Sequence, residues 1–328
     1  MDVREAHGPG ARVIGRRLLT VTGMVAALWL VSALLPWLFV VALLVDLVRG
    51  AKTFSTTRLT AFLFSFLLVE NIGLAVLFFT FIGTRSGTPA RHRRTFAVQR
   101  TYTAAHLWSV TRFFSLRFVV EGADLASTGP FIALVRHASL VDVLVPGGFI
   151  ANAHRIELRY VLKKELLAEP CLDIAGHWIP NHFVDRGGGD TERELSAIRA
   201  LKTGLGAREG VLLFPEGTRF SRRKREKLLE GPEKARAEKL KHLLPIRPGG
   251  ALTLLDADPR CDVLFVGHHG LEGFTRLHEI WRGGLVGKTI TIKFWREPAS
   301  SVPAKAGERL GWLDTQWLRV DAWLEALE

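Results

Sequence analysis

The chain predicts an α/β fold, a mixed and largely parallel sheet flanked by helices, with an N-terminal hydrophobic helical hairpin in front of it. Three observations carry that expectation. From about residue 115 onward, strand-like and helix-like stretches alternate, the pattern of a parallel sheet covered by helices. Ahead of them lie two apolar blocks, 18–48 and 59–83, each longer than the ~20 residues that cross a bilayer core. A basic linker joins the two parts. The division expected is 1–100 for the hairpin and linker, and 101–328 for the α/β domain with a C-terminal helix.

The hairpin comes first. Its first block carries one charge, Asp46, and contains Pro36, which predicts a kink. The block is too long for a signal-peptide core and shows no small-residue cleavage site, so it reads as retained. Glu70 and Asn71 sit midway through the second block. An acid there costs about 2.5–3.5 kcal/mol on insertion scales, so two readings stand: a spanning pair, or a hairpin that dips in and returns to the same face. Arg4, Arg12, Arg16 and Arg17 precede the hairpin, and Arg85, Arg91, Arg93, Arg94 and Arg100 follow it. Only Arg49, Lys52 and Arg58 lie between the blocks. That excess puts both ends in the cytoplasm, so the expected location is the cytoplasmic face of the inner membrane.

The strands of the second part follow from their patterns. SLRFVVEG (115–122), RIELRYVLK (155–163) and KTITIKFW (288–295) alternate, as half-buried strands do. FIALV (131–135), VLLFPEG (211–217) and LFVGHHG (264–270) are apolar runs that fit buried strands. Helical spacing marks Ser139 to about Ile150 and TERELSAIRALKTGL (191–205). The tail, GWLDTQWLRVDAWLEALE (311–328), places Trp312, Val320 and Trp323 at helical offsets and reads as a helix packing its apolar face on the core. In such a sheet, sites form beyond the carboxyl ends of the strands.

Composition narrows the partners. Lys and Arg number 44 against 32 Asp and Glu, a formal net charge of +12, while 48% of the residues are hydrophobic. That balance favours anionic partners. Cys171 and Cys261 have no companions at metal-site spacing, so a reducing compartment is expected and no metal site. The glycine run at 187–190 lacks the lysine of a phosphate loop.

Four stretches carry candidate chemistry. In FIALVRHASLVD, His137 appears where a strand hands over to a helix, and Asp142 follows after four residues. A carboxylate reaching that imidazole fixes its tautomer and leaves the other ring nitrogen to take a proton from a hydroxyl. No serine or cysteine stands in a nucleophile elbow, so the base would act on a substrate alcohol. In FVDRGGG, Arg186 precedes a glycine turn and can offer its planar fork to a phosphate. In FPEGTR, Pro215 and Gly217 shape a turn, and Glu216 and Arg219 lie three apart, able to pair or to flank a phosphate. HLLPIRPGG (242–250) ends an apolar run and opens a helix. The basic residues in 221–241 alternate with Glu226, Glu230, Glu233 and Glu238 and have no aromatic platform among them, which argues against nucleic acid.

In this order and spacing the four stretches resemble the glycerolipid acyltransferase family, of the 1-acylglycerol-3-phosphate acyltransferase type, over roughly residues 110–270. HASLVD fits its His-four-residues-Asp motif and FPEGTR its third motif, with FVDR and LPIRPGG matching the cores of the second and fourth. The resemblance implies the fold of that family. It also implies acyl transfer from an acyl-coenzyme A (acyl-CoA) or acyl carrier protein thioester to the free hydroxyl of lysophosphatidic acid or a related lysophospholipid, with no permanently bound cofactor. His137 would be the general base and Asp142 its orienting acid. Arg186, Glu216, Gly217 and Arg219 would form the pocket for the acceptor phosphate. Two positions depart from the pattern. Arg136 replaces the usual asparagine and adds a candidate anion contact, and Pro180 replaces a glycine. The C-terminal helix and the charged insert at 221–241 resemble the lysocardiolipin-type branch. The competing readings are a coenzyme A-independent phospholipid–lysophospholipid transacylase and a non-catalytic module binding anionic lipid or nucleic acid.

Overall fold

The computed structural model describes residues 10–185, 187, 190–257, 261–272, 274 and 276–328. Three long helices open the chain: α1 (Ala11–Val48), α2 (Ser55–Ile82) and α3 (Pro89–Phe114). Then follow β1 (Arg117–Glu121), β2 (Phe131–Val135), α4 (Leu144–Pro146), β3 (Glu157–Lys163), α5 (Pro170–Trp178), β4 (His182–Val184), α6 (Thr191–Ala200) and β5 (Glu209–Leu213). The chain closes with α7 (Arg222–Leu229), α8 (Lys234–Ala237), α9 (Pro248–Ala257), β6 (Asp262–His269), α10 (Leu277–Trp281), β7 (Thr289–Glu297) and α11 (Ala306–Glu325).

The strands form one sheet in the order β1-β7-β6-β2-β5-β3-β4. Every neighbouring pair is parallel except β6 and β7, which run antiparallel. This is the mixed, largely parallel sheet expected from the alternating pattern. β2 is central and buried at all five positions, which is why FIALV reads as an unbroken apolar run. Successive side chains of a strand point to opposite faces. Phe131, Ala133 and Val135 accordingly join the core under α3, with Phe114, Ile290 and Ile292. Ile132 and Leu134 join the other core, with Leu254 of α9 and Trp317 and Val320 of α11. The tail helix therefore packs on the sheet as its spacing predicts.

Several details differ from expectation. α3 runs unbroken across positions 100 and 101, where the sequence places the join between linker and domain. Its start is set by Thr88, whose hydroxyl accepts the Arg91 N–H at 3.3 Å, and by Pro89 in the first turn, where a missing N–H costs nothing. Helix α1 continues through Pro36. The helix expected over 139–150 is a turn, then α4, then a wide turn of π-helix through 147–152. Gly147 and Gly148 lie against α3. A Cβ on either would stand 2.6 Å from Thr103 or 2.1 Å from Leu107, so the glycine pair admits a close helix crossing at the expense of regular helix.

The hairpin is attached along its length. At its start, Arg16 and Arg17 donate to the buried Asp173 of α5 at 2.9 and 3.2 Å. At its tip, the Ser55 hydroxyl donates to the Trp281 carbonyl at 2.6 Å, the Trp281 indole donates to Thr56 at 2.9 Å, and Arg49 lies 3.6 Å from the indole ring centre. Asp46 closes the turn by accepting the backbone N–H groups of Thr56 and Thr57 at 2.9 and 2.8 Å, relieving two orphan donors of α2. Between these ends, Leu67, Glu70, Gly73 and Leu77 of α2 are buried against the rest of the molecule. Glu70 therefore faces protein, where Tyr102 and His106 of α3 lie beside it.

That junction makes one measurable demand. The single Tyr102 hydroxyl contacts both Glu70 and Glu169, and one hydroxyl proton serves one carboxylate only. Burial and the neighbouring Glu70 push Glu169 up from 4.5 to about 8, so Glu169 carries the second proton. Between those values the folded state binds more protons than the unfolded chain. Stability is fully present below about pH 4.5, falls as pH rises, and levels off above about 8. The thermal midpoint of the solubilised protein should decline across that window, and Glu169→Gln should lessen the decline.

Candidate active site

The site lies beyond the carboxyl ends of β2 and β5. Past β2 the chain stays in register for one more residue, with the Arg136 N–H bonded to the Val266 carbonyl at 2.9 Å. It then turns tightly through 137–142. Asp142 is completely buried and organises the turn. One of its oxygens lies 3.1 Å from His137 Nδ1, and the other accepts the backbone N–H groups of Ala138 and Ser139, the latter at 2.7 Å. The Ser139 hydroxyl oxygen accepts from the Val141 and Asp142 N–H groups at 2.9 and 3.1 Å. Ser139 is thus a turn-forming residue whose oxygen faces away from nucleophilic work. Burial alone would raise the Asp142 carboxyl, but hydrogen bonds to His137 and His268 and the charge of both hold it well below the usual carboxylate range. An ionised Asp142 makes Nδ1 of His137 the donor nitrogen and leaves Nε2 as the basic one. The Phe214 ring packs 4.5 Å from the imidazole, centre to centre.

Glu216 also meets His137, though not as an acid. Its carboxyl accepts the His137 backbone N–H at 2.8 Å and the Leu244 backbone N–H at 3.0 Å. It is 1% exposed. Burial pushes it up to about 8, against those two backbone bonds. Both oxygens are engaged with backbone, so the expectation that Glu216 lines a phosphate pocket is corrected. It is a brace that ties the FPEGTR turn and the segment leading into LPIRPGG to the base of His137.

Gly217 is required by its backbone. Its φ is +69°, and a Cβ would stand 2.6 Å from Cδ of Arg247, so a side chain would be both strained and obstructed. Arg219 follows, partly buried, and the Phe220 N–H donates to the His137 carbonyl at 2.6 Å. Lys224 of α7 folds back to donate to the Thr218 hydroxyl at 2.8 Å and the Arg219 carbonyl at 2.7 Å. Burial, then the charges of Arg219 and Arg247, hold Lys224 below its ordinary value. Three cations therefore gather around one glycine turn beside His137. Lys224 and Arg247 were not among the residues singled out from sequence, although both lie within or beside the stretches read as motifs.

Arg136 is corrected as well. It is 1% exposed and donates to Glu272 and to the carbonyls of His268 and His242, the last at 2.9 Å. It is an internal tie and offers no anion contact. Arg186 lies outside the described residues. His137, Asp142, Glu216, Gly217 and Arg219 are brought together from separate stretches of chain, by parallel pairing of β2 with β5 and by the brace.

Comparison with known proteins bears on the fold that carries this site. Residues 117–257, from β1 to α9, match the family model described as Acyltransferase. Among solved structures, the crystal structure of the 1-acyl-sn-glycerophosphate (LPA) acyltransferase, PlsC, from Thermotoga maritima is similar, with a TM-score of 0.53 and 19% identity over 82% of this chain and 95% of that one. At that identity the likeness concerns the fold. No curated protein matches the chain.

Proposed function

We propose, from the match of residues 117–257 to the Acyltransferase family model and from the geometry of the site, that the chain transfers a fatty acyl group from an acyl-CoA or acyl carrier protein thioester to the free hydroxyl of lysophosphatidic acid or a related lysophospholipid. The observation that carries this reading is the His137–Asp142 pair, with Nε2 of His137 free of the carboxylate and cations gathered on the adjoining turn. His137 Nε2 takes the proton from the acceptor hydroxyl as its oxygen attacks the thioester carbonyl. A C–O bond forms, the C–S bond breaks, and the departing thiolate recovers the proton from the imidazolium. Ser139 is spent on the turn, which favours direct transfer within a ternary complex over an acyl-enzyme. Arg219, helped by Lys224 and Arg247, holds the acceptor phosphate.

The membrane arrangement belongs to the same proposal. Helix α1 has 38 residues, about 57 Å at 1.5 Å per residue, against a hydrocarbon core of about 30 Å. Its start and the hairpin tip are both fastened to the catalytic part. A hairpin held so lies along the molecule and within one leaflet, with its large exposed residues, such as Trp29 and Trp37, among the lipid chains. Arg12 and the arginines around Arg93 meet anionic headgroups, and the cytoplasmic face of the inner membrane suits a donor made in the cytoplasm.

The test uses purified protein in anionic vesicles, given long-chain acyl-CoA and lysophosphatidic acid. The expected result is phosphatidic acid and one thiol released per acyl chain moved. Transfer from a diacyl phospholipid with none from either thioester overturns the reading in favour of a transacylase. No transfer from any donor leaves a binding module.

A further inference from the structure

His268 lies in β6 and is completely buried. The register that pairs Val135 with Val266 carries position 268 past the end of β2, beside the turn that holds Asp142. His268 Nε2 is 3.2 Å from the Arg136 carbonyl oxygen and 3.4 Å from the second oxygen of Asp142. A carbonyl only accepts, so Nε2 carries the hydrogen, and that N–H is shared between the carbonyl and the carboxylate. Asp142 therefore stands between two imidazoles, His137 on one oxygen and His268 on the other. Its place is already secured by the amides of Ala138 and Ser139. What His268 adds is a donor that competes for the carboxylate's charge.

We propose that His268 is a positioning residue acting through Asp142, withdrawing part of its charge from His137 and so limiting how tightly His137 holds a proton. The charged and titratable groups around the pair are consistent with this direction. Asp142 faces His268 from the turn, with His137 on its other oxygen, Arg136 donates to the His268 carbonyl from the end of β2, and Glu272 offsets Arg136 from the turn after β6. On β7 its partner is Ile292, which carries no charge. Glu216 reaches His137 only through the backbone. The inference rests on His137 being the base of the proposed reaction, and it deepens that reading.

The experiment compares the full-length protein with His268→Phe and His268→Gln in the same vesicles. Diethyl pyrocarbonate, which acylates neutral imidazole, is reacted over a range of pH, and modification of the His137 peptide is followed by mass spectrometry. With the donor removed in His268→Phe, the pH of half-maximal reaction should rise by about half a unit to one unit. Gln, which keeps an N–H, should leave it near the wild-type value. Acyl transfer by His268→Phe should fall about three- to tenfold well below the wild-type midpoint, by less as pH rises, and recover above the shifted midpoint, which a loosened fold would not do. Should the Phe variant not fold, His268→Met, smaller and equally without a donor, gives the same readout. An unchanged or lowered midpoint in the donorless variant overturns the proposal. If the midpoint rises but the wild type transfers no acyl group, the reading of the function falls and the coupling of the two histidines stands.

Discussion

Replacing His137 with alanine lowers acyl transfer by about 10²–10⁴-fold, the usual worth of a general base. The loss should appear in kcat, with KM for the lysophospholipid little changed, because in the proposed reaction the imidazole touches the reacting hydroxyl while the cations around the Gly217 turn hold the phosphate. Among the described residues no neighbour is placed to take over. Glu216 has both oxygens on backbone N–H groups, and His268 faces Asp142 with its Nε2. The variant should fold, because the bond to Glu216 comes from the backbone of residue 137 and survives the substitution. Steady-state kinetics on vesicles, beside a thermal melt, check this. Undiminished kcat in a folded His137→Ala protein would remove His137 from the mechanism.

Replacing Trp317 with alanine destabilises the fold by about 3–5 kcal/mol, the common cost of truncating a fully buried tryptophan. Trp317 is 1% exposed in the core beneath α11. Its effect extends to catalysis by a traceable route. The indole N–H donates to the Leu244 carbonyl at 3.0 Å, the Leu244 N–H donates to Glu216, and Glu216 accepts from the backbone of His137. Asp321, one turn further along α11, accepts the N–H groups of Lys241 and His242 at 2.9 and 2.8 Å. The last helix thus steadies the loop that steadies the base. Trp317→Phe keeps most of the volume and loses the N–H, so it should cost about 1–2 kcal/mol and still lower kcat. Chemical denaturation and kcat on the same preparations read both effects, and a fall in stability with unaltered kcat in Trp317→Phe would break the link from α11 to the site.

What could be read in the chain was what depends on local pattern. FIALV declared a central strand by its unbroken apolar character, and the five-residue offset of His137 and Asp142 sufficed to bring an imidazole and a carboxylate together across one turn. What escaped depends on partners far along the chain. Nothing near Arg136 foretells Glu272, 136 positions later, and without that partner an arginine beside a candidate base looks like an anion contact. The FPEGTR motif gives no direction to the Glu216 side chain, and the two amides it accepts come from residues 137 and 244. His268 was read only as part of a strand. Its signal was a polar residue amid an apolar run, at the carboxyl end of a strand that pairs with β2. Strand β4, three residues long, was too short to register as a period.

The hairpin's double attachment has a kinetic consequence. In the proposed arrangement, a catalytic centre strapped at fixed height to a leaflet meets its lipid substrate by lateral diffusion in two dimensions. Its rate then follows the mole fraction of lysophospholipid in the bilayer. Adding inert lipid at constant total substrate would slow it by surface dilution, while changing the volume of the surrounding solution would not.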